Sequence, residues 1–277
     1  MNRIDARFNK LKAAGRKALV PFLTAGDPSL QATLPVMHAL VEAGADVIEL
    51  GVPFSDPMAD GPTIQRSSER ALARGAGLSY VLDTVRAFRQ RDADTPVVLM
   101  GYLNPVEIRG YARFAAAASA AGVDGVLLVD LPPEEAQELR AALAPHAIAL
   151  ILLASPTTDA ARIAQLCRDA QGYLYYVSYA GVTGASHLDT RDAGDRLRGI
   201  RAQTDVPVVA GFGIKDATSA AAMARDADGV VVGSALVAAL ADGSSPEDAA
   251  QRARDFLTPL REALDASAEA AAHGRLG

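Results

Sequence analysis

The chain has 277 residues, half of them apolar and about a fifth charged, with a net charge of −6 and one cysteine. That length suits a single α/β barrel of about 250 residues, and such a chain can bury its own core without disulfide or metal staples. Charges of both signs are interspersed with no basic stripe, which argues against a nucleic-acid partner. Cys167 has no second cysteine to pair with and points to a reducing, cytoplasmic setting. The opening Met1-Asn2-Arg3-Ile4-Asp5 turns amphipathic at once, unlike a signal peptide, and the longest apolar run, 147–154, is too short for a bilayer.

Residues 4–15 read as an extra helix placed to cover one end of a larger fold. Apolar runs then begin near Leu19, Asp46, Val97, Gly125, Ile148, Tyr173, Val208 and Val230. They are continuous and rich in Val, Ile and Leu, as in parallel strands covered on both faces. Each is followed by a Gly, Pro or Asp turn and an amphipathic segment. Leu30, Leu34, Met37 and Val41 share one helical face, and so do Ala253, Phe256, Leu257, Leu260 and Leu264. Gly44 and Gly122 stand where left-handed helix caps are expected. Pro132 and Pro133 open a helix with two glutamates in its first turn. The Ala-rich tail, 266–277, reads as a frayed helix end.

Three segments echo one another: Ala43-Gly44-Ala45-Asp46-Val47-Ile48, Ala121-Gly122-Val123-Asp124-Gly125-Val126 and Ala227-Asp228-Gly229-Val230-Val231. Each is a helix end, a short turn with Asp and a strand start. Eight such units close most naturally into one α/β domain spanning 1–277, a (β/α)8 barrel with an extra N-terminal helix. An open doubly wound sheet is the runner-up.

In such barrels chemistry sits at the C-terminal ends of the strands. Glu49 lies inside an otherwise apolar strand, where an unpaired carboxylate is costly; it is either an acid–base group or the structural partner of a neighbouring Lys or Arg. The loop after it is rich in Pro and Gly, as a lid or partner-contact element would be. Asp56 and Asp60 in that loop read equally as catalytic or as turn residues. Glycine-rich loops follow strands six, seven and eight: Ala180-Gly181-Val182-Thr183-Gly184, Gly211-Phe212-Gly213-Ile214 and Gly233-Ser234. Three on one rim suggest a phosphate held by backbone N–H groups. The four histidines lack ligand spacing, so no metal is expected. No Walker loop is present, and the third glycine of a dinucleotide fingerprint is missing.

The run Glu49-Leu50-Gly51-Val52-Pro53-Phe54-Ser55-Asp56-Pro57-Met58-Ala59-Asp60-Gly61-Pro62-Thr63-Ile64-Gln65 resembles the signature of the tryptophan synthase alpha chain family. Collinear stretches at residues 21–28, 100–105, 130–132, 181–184 and 211–214 extend the resemblance over nearly the whole chain. It implies a lyase that splits indole-3-glycerol phosphate into indole and glyceraldehyde 3-phosphate for tryptophan biosynthesis. It implies catalytic roles for Glu49 and Asp60, a substrate pocket with Phe22, Tyr102, Tyr175 and the lid residue Thr183, and phosphate binding at Gly184, Gly213 and Ser234. It also implies no cofactor in this chain and a beta-chain partner carrying pyridoxal phosphate in an α2β2 complex. Pro57-Met58-Ala59 and Asn104-Pro105 are then the expected contact elements. One departure is Tyr179, where many members of the family have Arg. Another phosphate-handling barrel, such as phosphoribosylanthranilate isomerase, does not suit the run from Pro53 to Gln65. A non-catalytic regulatory subunit would be expected to lose Glu49 or Asp60.

Overall fold

The computed structural model describes residues 2–177, 190–211 and 213–273. After the N-terminal helix α1 (Arg3–Ala13), the first half of the chain runs β1 (Ala18–Thr24), α2 (Thr33–Glu42), β2 (Ile48–Gly51), α3 (Pro62–Ala73), α4 (Leu78–Arg89), β3 (Val97–Gly101), α5 (Leu103–Arg109), α6 (Tyr111–Ala121) and β4 (Gly125–Leu128). The second half runs α7 (Gln137–Leu143), β5 (Ala149–Ala154), α8 (Ala160–Asp169), β6 (Leu174–Val177), α9 (Thr190–Arg201), β7 (Val208–Gly211), α10 (Ala217–Ala224), β8 (Gly229–Val232), α11 (Ser234–Ala241) and α12 (Pro246–His273). The eight strands are parallel, pair in chain order and close by β1 on β8, with Ala18 opposite Gly229. The expected barrel is therefore observed, and the open sheet is not.

Strand alternation divides the core in two. Leu19, Leu23, Ile48, Leu50, Val97 and Leu99 face outward beneath the helices. Val20, Phe22, Val98, Leu127, Ile151 and Val209 fill the barrel. The N-terminal helix reaches that inner cluster too, through Ile4, Phe8 and Leu11, and closes the end where the strands begin. Its N-cap, Asn2, accepts the Ile4 N–H at 2.8 Å. The Asn2 amide donates to the carbonyls of Asp124 and Ala147, each at 2.7 Å.

The three echoed segments share one device. Asp46, Asp124 and Asp228 each precede a strand and each grip the residue alongside in the previous one. Their backbone N–H groups donate to the carbonyls of Leu19, Val97 and Val208. Their carboxylates accept the N–H of those same residues at 3.0, 2.9 and 2.9 Å. Each carboxylate also holds an arginine: Arg261 on Asp46 at 3.0 Å, Arg89 on Asp124 at 2.7 Å and Arg201 on Asp228 at 2.7 Å. A turn that looked like simple repetition in the sequence is a strand-to-strand clasp pinned by a helix.

Two expectations change. Pro132 and Pro133 open a short 3-10 turn, Pro133–Glu135, and α7 begins at Gln137. A residue preceding proline is pushed out of the helical region, and Pro132 accordingly is extended. Leu30 lies before α2, whose buried face is Val36, Met37, Ala39 and Leu40; Leu34 and Val41 are half-buried. That helix packs on both α4 and α12, so its apolar face is broader than one stripe. The predicted face of the last helix is observed, with Ala253, Leu257, Leu260 and Leu264 buried and Phe256 packed against them. Gly44 and Gly122 adopt positive φ, 98° and 90°, as helix-ending glycines. No helix among the described residues is long and apolar enough to cross a membrane.

Candidate active site

A narrow cleft opens at the C-terminal ends of the first four strands, lined by Phe22, Gly51, Asp60, Met100, Tyr102 and Val129 among others. Glu49 lies beneath it. Its neighbours Ile48 and Leu50 face the helices, so Glu49 faces the barrel interior. Gly51, two residues further on the same face, lines the cleft; a Cβ there would stand 2.6 Å from the Phe22 ring. The absent side chain lets Phe22 sit over β2.

Glu49 is fully buried. One oxygen accepts a hydrogen bond from the Tyr173 hydroxyl at 2.5 Å. The other, Oε2, is buried with no partner. Burial pushes this carboxyl up to about 7, against the pull of the Tyr173 hydrogen bond. No Lys or Arg among the described residues forms an ion pair with it, so the structural alternative for Glu49 loses its support. Tyr173 is held well above its ordinary range by burial first and by Glu49 second. Its ring packs against Phe8 of α1, centroids 5.9 Å apart.

Asp60 ends the loop after β2. The loop is braced by Gln65, which donates to the carbonyls of Asp60 at 2.9 Å and Pro57 at 3.3 Å. Tyr102 holds it from the other side. Its hydroxyl accepts the Ala59 N–H at 3.0 Å and donates to Asp60 Oδ2 at 3.1 Å, while its ring stacks on Phe54 with centroids 5.1 Å apart. Burial pushes the Asp60 carboxyl up to about 6, again against a tyrosine hydrogen bond. Asp56 is exposed and engaged only with its neighbour Ser55 and the turn. Of the two loop acids, only Asp60 lines the cleft.

Phe22 and Tyr175 both face the barrel interior. Tyr175 fills the space left by Gly211 on β7, where a Cβ would collide with the tyrosine ring and hydroxyl. Gly213 has φ 53°, a left-handed conformation suited to glycine, and open space where a side chain would project. Gly233 lies against Phe22, 3.6 Å from the ring's nearest atoms to a built Cβ, and Ser234 is the exposed first residue of α11. The phosphate candidates Gly213 and Ser234 thus lie after β7 and β8, on the rim shared with Phe22. Thr183, Gly184 and Tyr179 lie outside the described residues.

Sequence reasoning missed Tyr173. A signal existed: it stands two residues before Tyr175, on the same face of the strand. Met100, Val129 and Phe54 were also missed; apolar residues at strand ends carry no mark of their own.

The comparisons agree along nearly the whole chain. The family model described as tryptophan synthase alpha chain matches residues 8–267. The tryptophan synthase alpha chain of Xanthomonas euvesicatoria pv. vesicatoria (strain 85-10) is 73% identical over 266 residues, covering 96% of this chain and 99% of that one. That of Xylella fastidiosa (strain M12) is 71% identical over the same shares. The crystal structure of tryptophan synthase subunit alpha from Legionella pneumophila str. Paris superposes with TM-score 0.89 at 47% identity, covering 96% of this chain and 99% of that one. An aminoacrylate-bound tryptophan synthase structure from M. tuberculosis superposes with TM-score 0.85 at 36% identity, covering 95% and 100%.

Proposed function

This chain belongs to the tryptophan synthase alpha chain family and cleaves indole-3-glycerol phosphate in tryptophan biosynthesis; we propose that Glu49 and Asp60 are the two carboxylates that carry out the cleavage. The observation that supports this most is the Glu49 carboxyl, buried without a cation, half-unpartnered and held near neutrality beneath the cleft. Such a group can hold a proton at working pH and can also lose it.

The reaction is a retro-aldol cleavage. Protonated Glu49 delivers its proton to C3 of the indole, and the ring nitrogen takes up the positive charge. Asp60, ionised above about pH 6, accepts a hydrogen bond from the indole N–H and stabilises that charge. The Glu49 carboxylate then takes the proton of the hydroxyl next to C3. The C–C bond breaks, its electron pair restores the indole ring, and the hydroxyl carbon becomes the aldehyde of glyceraldehyde 3-phosphate. Glu49 ends protonated, as it began, and no water or cofactor enters the balance. Two carboxylates whose environments set them about one unit apart divide the work of acid and base.

Phe22, Tyr102 and Tyr175 wall the indole, Thr183 orders the site as a lid, and Gly184, Gly213 and Ser234 hold the phosphate at the rim. The chain works without a cofactor of its own, in the cytoplasm, and pairs with a beta chain carrying pyridoxal phosphate in an α2β2 complex. The exposed apolar side chains Met58 and Ile108, on the loop after β2 and on α5, suit that contact. The test is indole release from indole-3-glycerol phosphate by the parent and by Glu49→Gln, each with and without a beta chain. The parent should release indole, faster with the partner, and the variant should lose nearly all activity while staying folded. Full activity in the variant would remove Glu49 from the mechanism.

A further inference from the structure

Tyr102 follows β3 at a rigid point of the barrel. On one side Val52 N–H is bonded to the Met100 carbonyl at 2.8 Å, and on the other Val129 N–H to the Gly101 carbonyl at 3.0 Å. The next residue, Leu103, donates its N–H to Asp130 Oδ1 at 2.8 Å. The Tyr102 backbone is therefore tied to β2 and to the end of β4. From this base its side chain touches the loop after β2 at both ends: the ring meets Phe54, and the hydroxyl meets Ala59 and Asp60. The hydrogen-bond directions are forced. Ala59 N–H can only donate, so the phenol's single proton goes to Asp60 Oδ2. Among the described residues no other group bonds the Asp60 carboxylate, which leaves Oδ1 open for a ligand.

We infer that Tyr102 is a positioning residue for Asp60: its hydroxyl locks the carboxylate and its loop into the working geometry before substrate arrives. The inference rests on the reading that Asp60 meets the indole N–H. It goes beyond a pocket wall, because a wall needs the ring and not the hydroxyl. A carboxylate held by its own loop alone could turn about its side-chain torsions, and a misplacement of about 1 Å costs up to 10²-fold in rate. The same bond also favours ionised Asp60, since a donor to a carboxylate lowers its proton affinity. The groups facing this pair are few. Among the described residues no Lys, Arg or His influences Asp60, and Asp130 acts on the Tyr102 hydroxyl from beyond.

The experiment compares Tyr102→Phe, Asp60→Asn and the double variant in the full chain with saturating beta chain, using indole-3-glycerol phosphate across pH 5 to 9. Phenylalanine keeps the wall and the stack on Phe54. The expected result is a fall in kcat of tenfold or more with KM little changed. The acid limb of kcat/KM should move to higher pH in Tyr102→Phe, and the double variant should be no slower than Asp60→Asn alone. If Asp60→Asn keeps parental activity, the catalytic reading of Asp60 fails and takes the inference with it. If Asp60→Asn is slow but Tyr102→Phe has parental kcat and an unmoved acid limb, Tyr102 is only a wall and the inference alone is overturned.

Discussion

Glu49 carries a conflict between activity and stability in one side chain. Its carboxyl sits near 7 in the folded chain and near 4.5 when solvated. Between those values the native state keeps a proton that the unfolded chain releases. Stability therefore falls as pH rises through this window, by about 3 kcal/mol once both states are ionised. Glu49→Gln should unfold at the same urea concentration as the parent near pH 4.5 and be more stable at pH 8.5; equal stability at both would contradict the buried, raised carboxyl. The catalytic profile follows from the same two groups. On the proposed mechanism activity requires ionised Asp60 and protonated Glu49, so kcat/KM should rise through about pH 6 and fall through about pH 7. The substrate's phosphate also titrates near 6, and Asp60→Asn assigns the acid limb. Tyr173→Phe removes a bond that favours the Glu49 carboxylate and should shift the falling limb to higher pH. Glu49 was legible in the sequence because a charge inside an apolar strand breaks a rule. Tyr173 left only one mark, its place two residues before Tyr175, because its use is defined by a residue 124 positions away and a tyrosine beside a strand breaks no rule.

At the scale of elements, the three Asp clasps explain why the starts of β2, β4 and β8 were readable to within two residues. The turn residue that ends each helix also grips the neighbouring strand, so chemistry and boundary coincide in sequence. The clasps are not equal. Asp124 is almost fully buried and serves Val97, Arg89 and Arg3 at once, whereas Asp228 is about a third exposed, like its partner Arg201. Replacing Asp124 by Ala leaves Arg89, itself largely buried, without its carboxylate and should cost about 3 kcal/mol in urea unfolding. Asp228→Ala should cost about 1 kcal/mol, because water reaches both Asp228 and Arg201. Equal losses would mean that the clasps act through turn geometry and not through buried charge. The turn after β4 was misread because two consecutive prolines announce a helix without showing where its regular part begins.

Across the whole molecule, the proposed catalytic acid depends on a helix at the opposite end of the barrel from the cleft. Phe8 of α1 supports Tyr173, and Tyr173 holds Glu49. Phe8→Ala leaves a cavity under that stack and should cost about 3 kcal/mol. It should also loosen the dry floor beneath Glu49, so the falling limb of the pH profile should move toward lower pH; a limb that stays in place would show that α1 contributes packing alone. The extra helix and its place at the barrel's end were readable from its apolar spacing. Its connection to Glu49 was not, since it passes through a third residue, Tyr173, at the start of a distant strand.

The N-terminal helix precedes every strand in the chain, yet the groups that seat it lie 122 and more positions further on. Asn2 is held by carbonyls at Asp124 and Ala147, Phe8 rests on Tyr173, and the strand that follows the helix finds its second neighbour only when Gly229 arrives. The helix must wait, undocked, until Tyr173 has been made. Until it seats, water can reach Glu49 from below and the carboxyl has no reason to hold its proton, so a nascent chain stalled before β6 should carry both carboxylates and no activity.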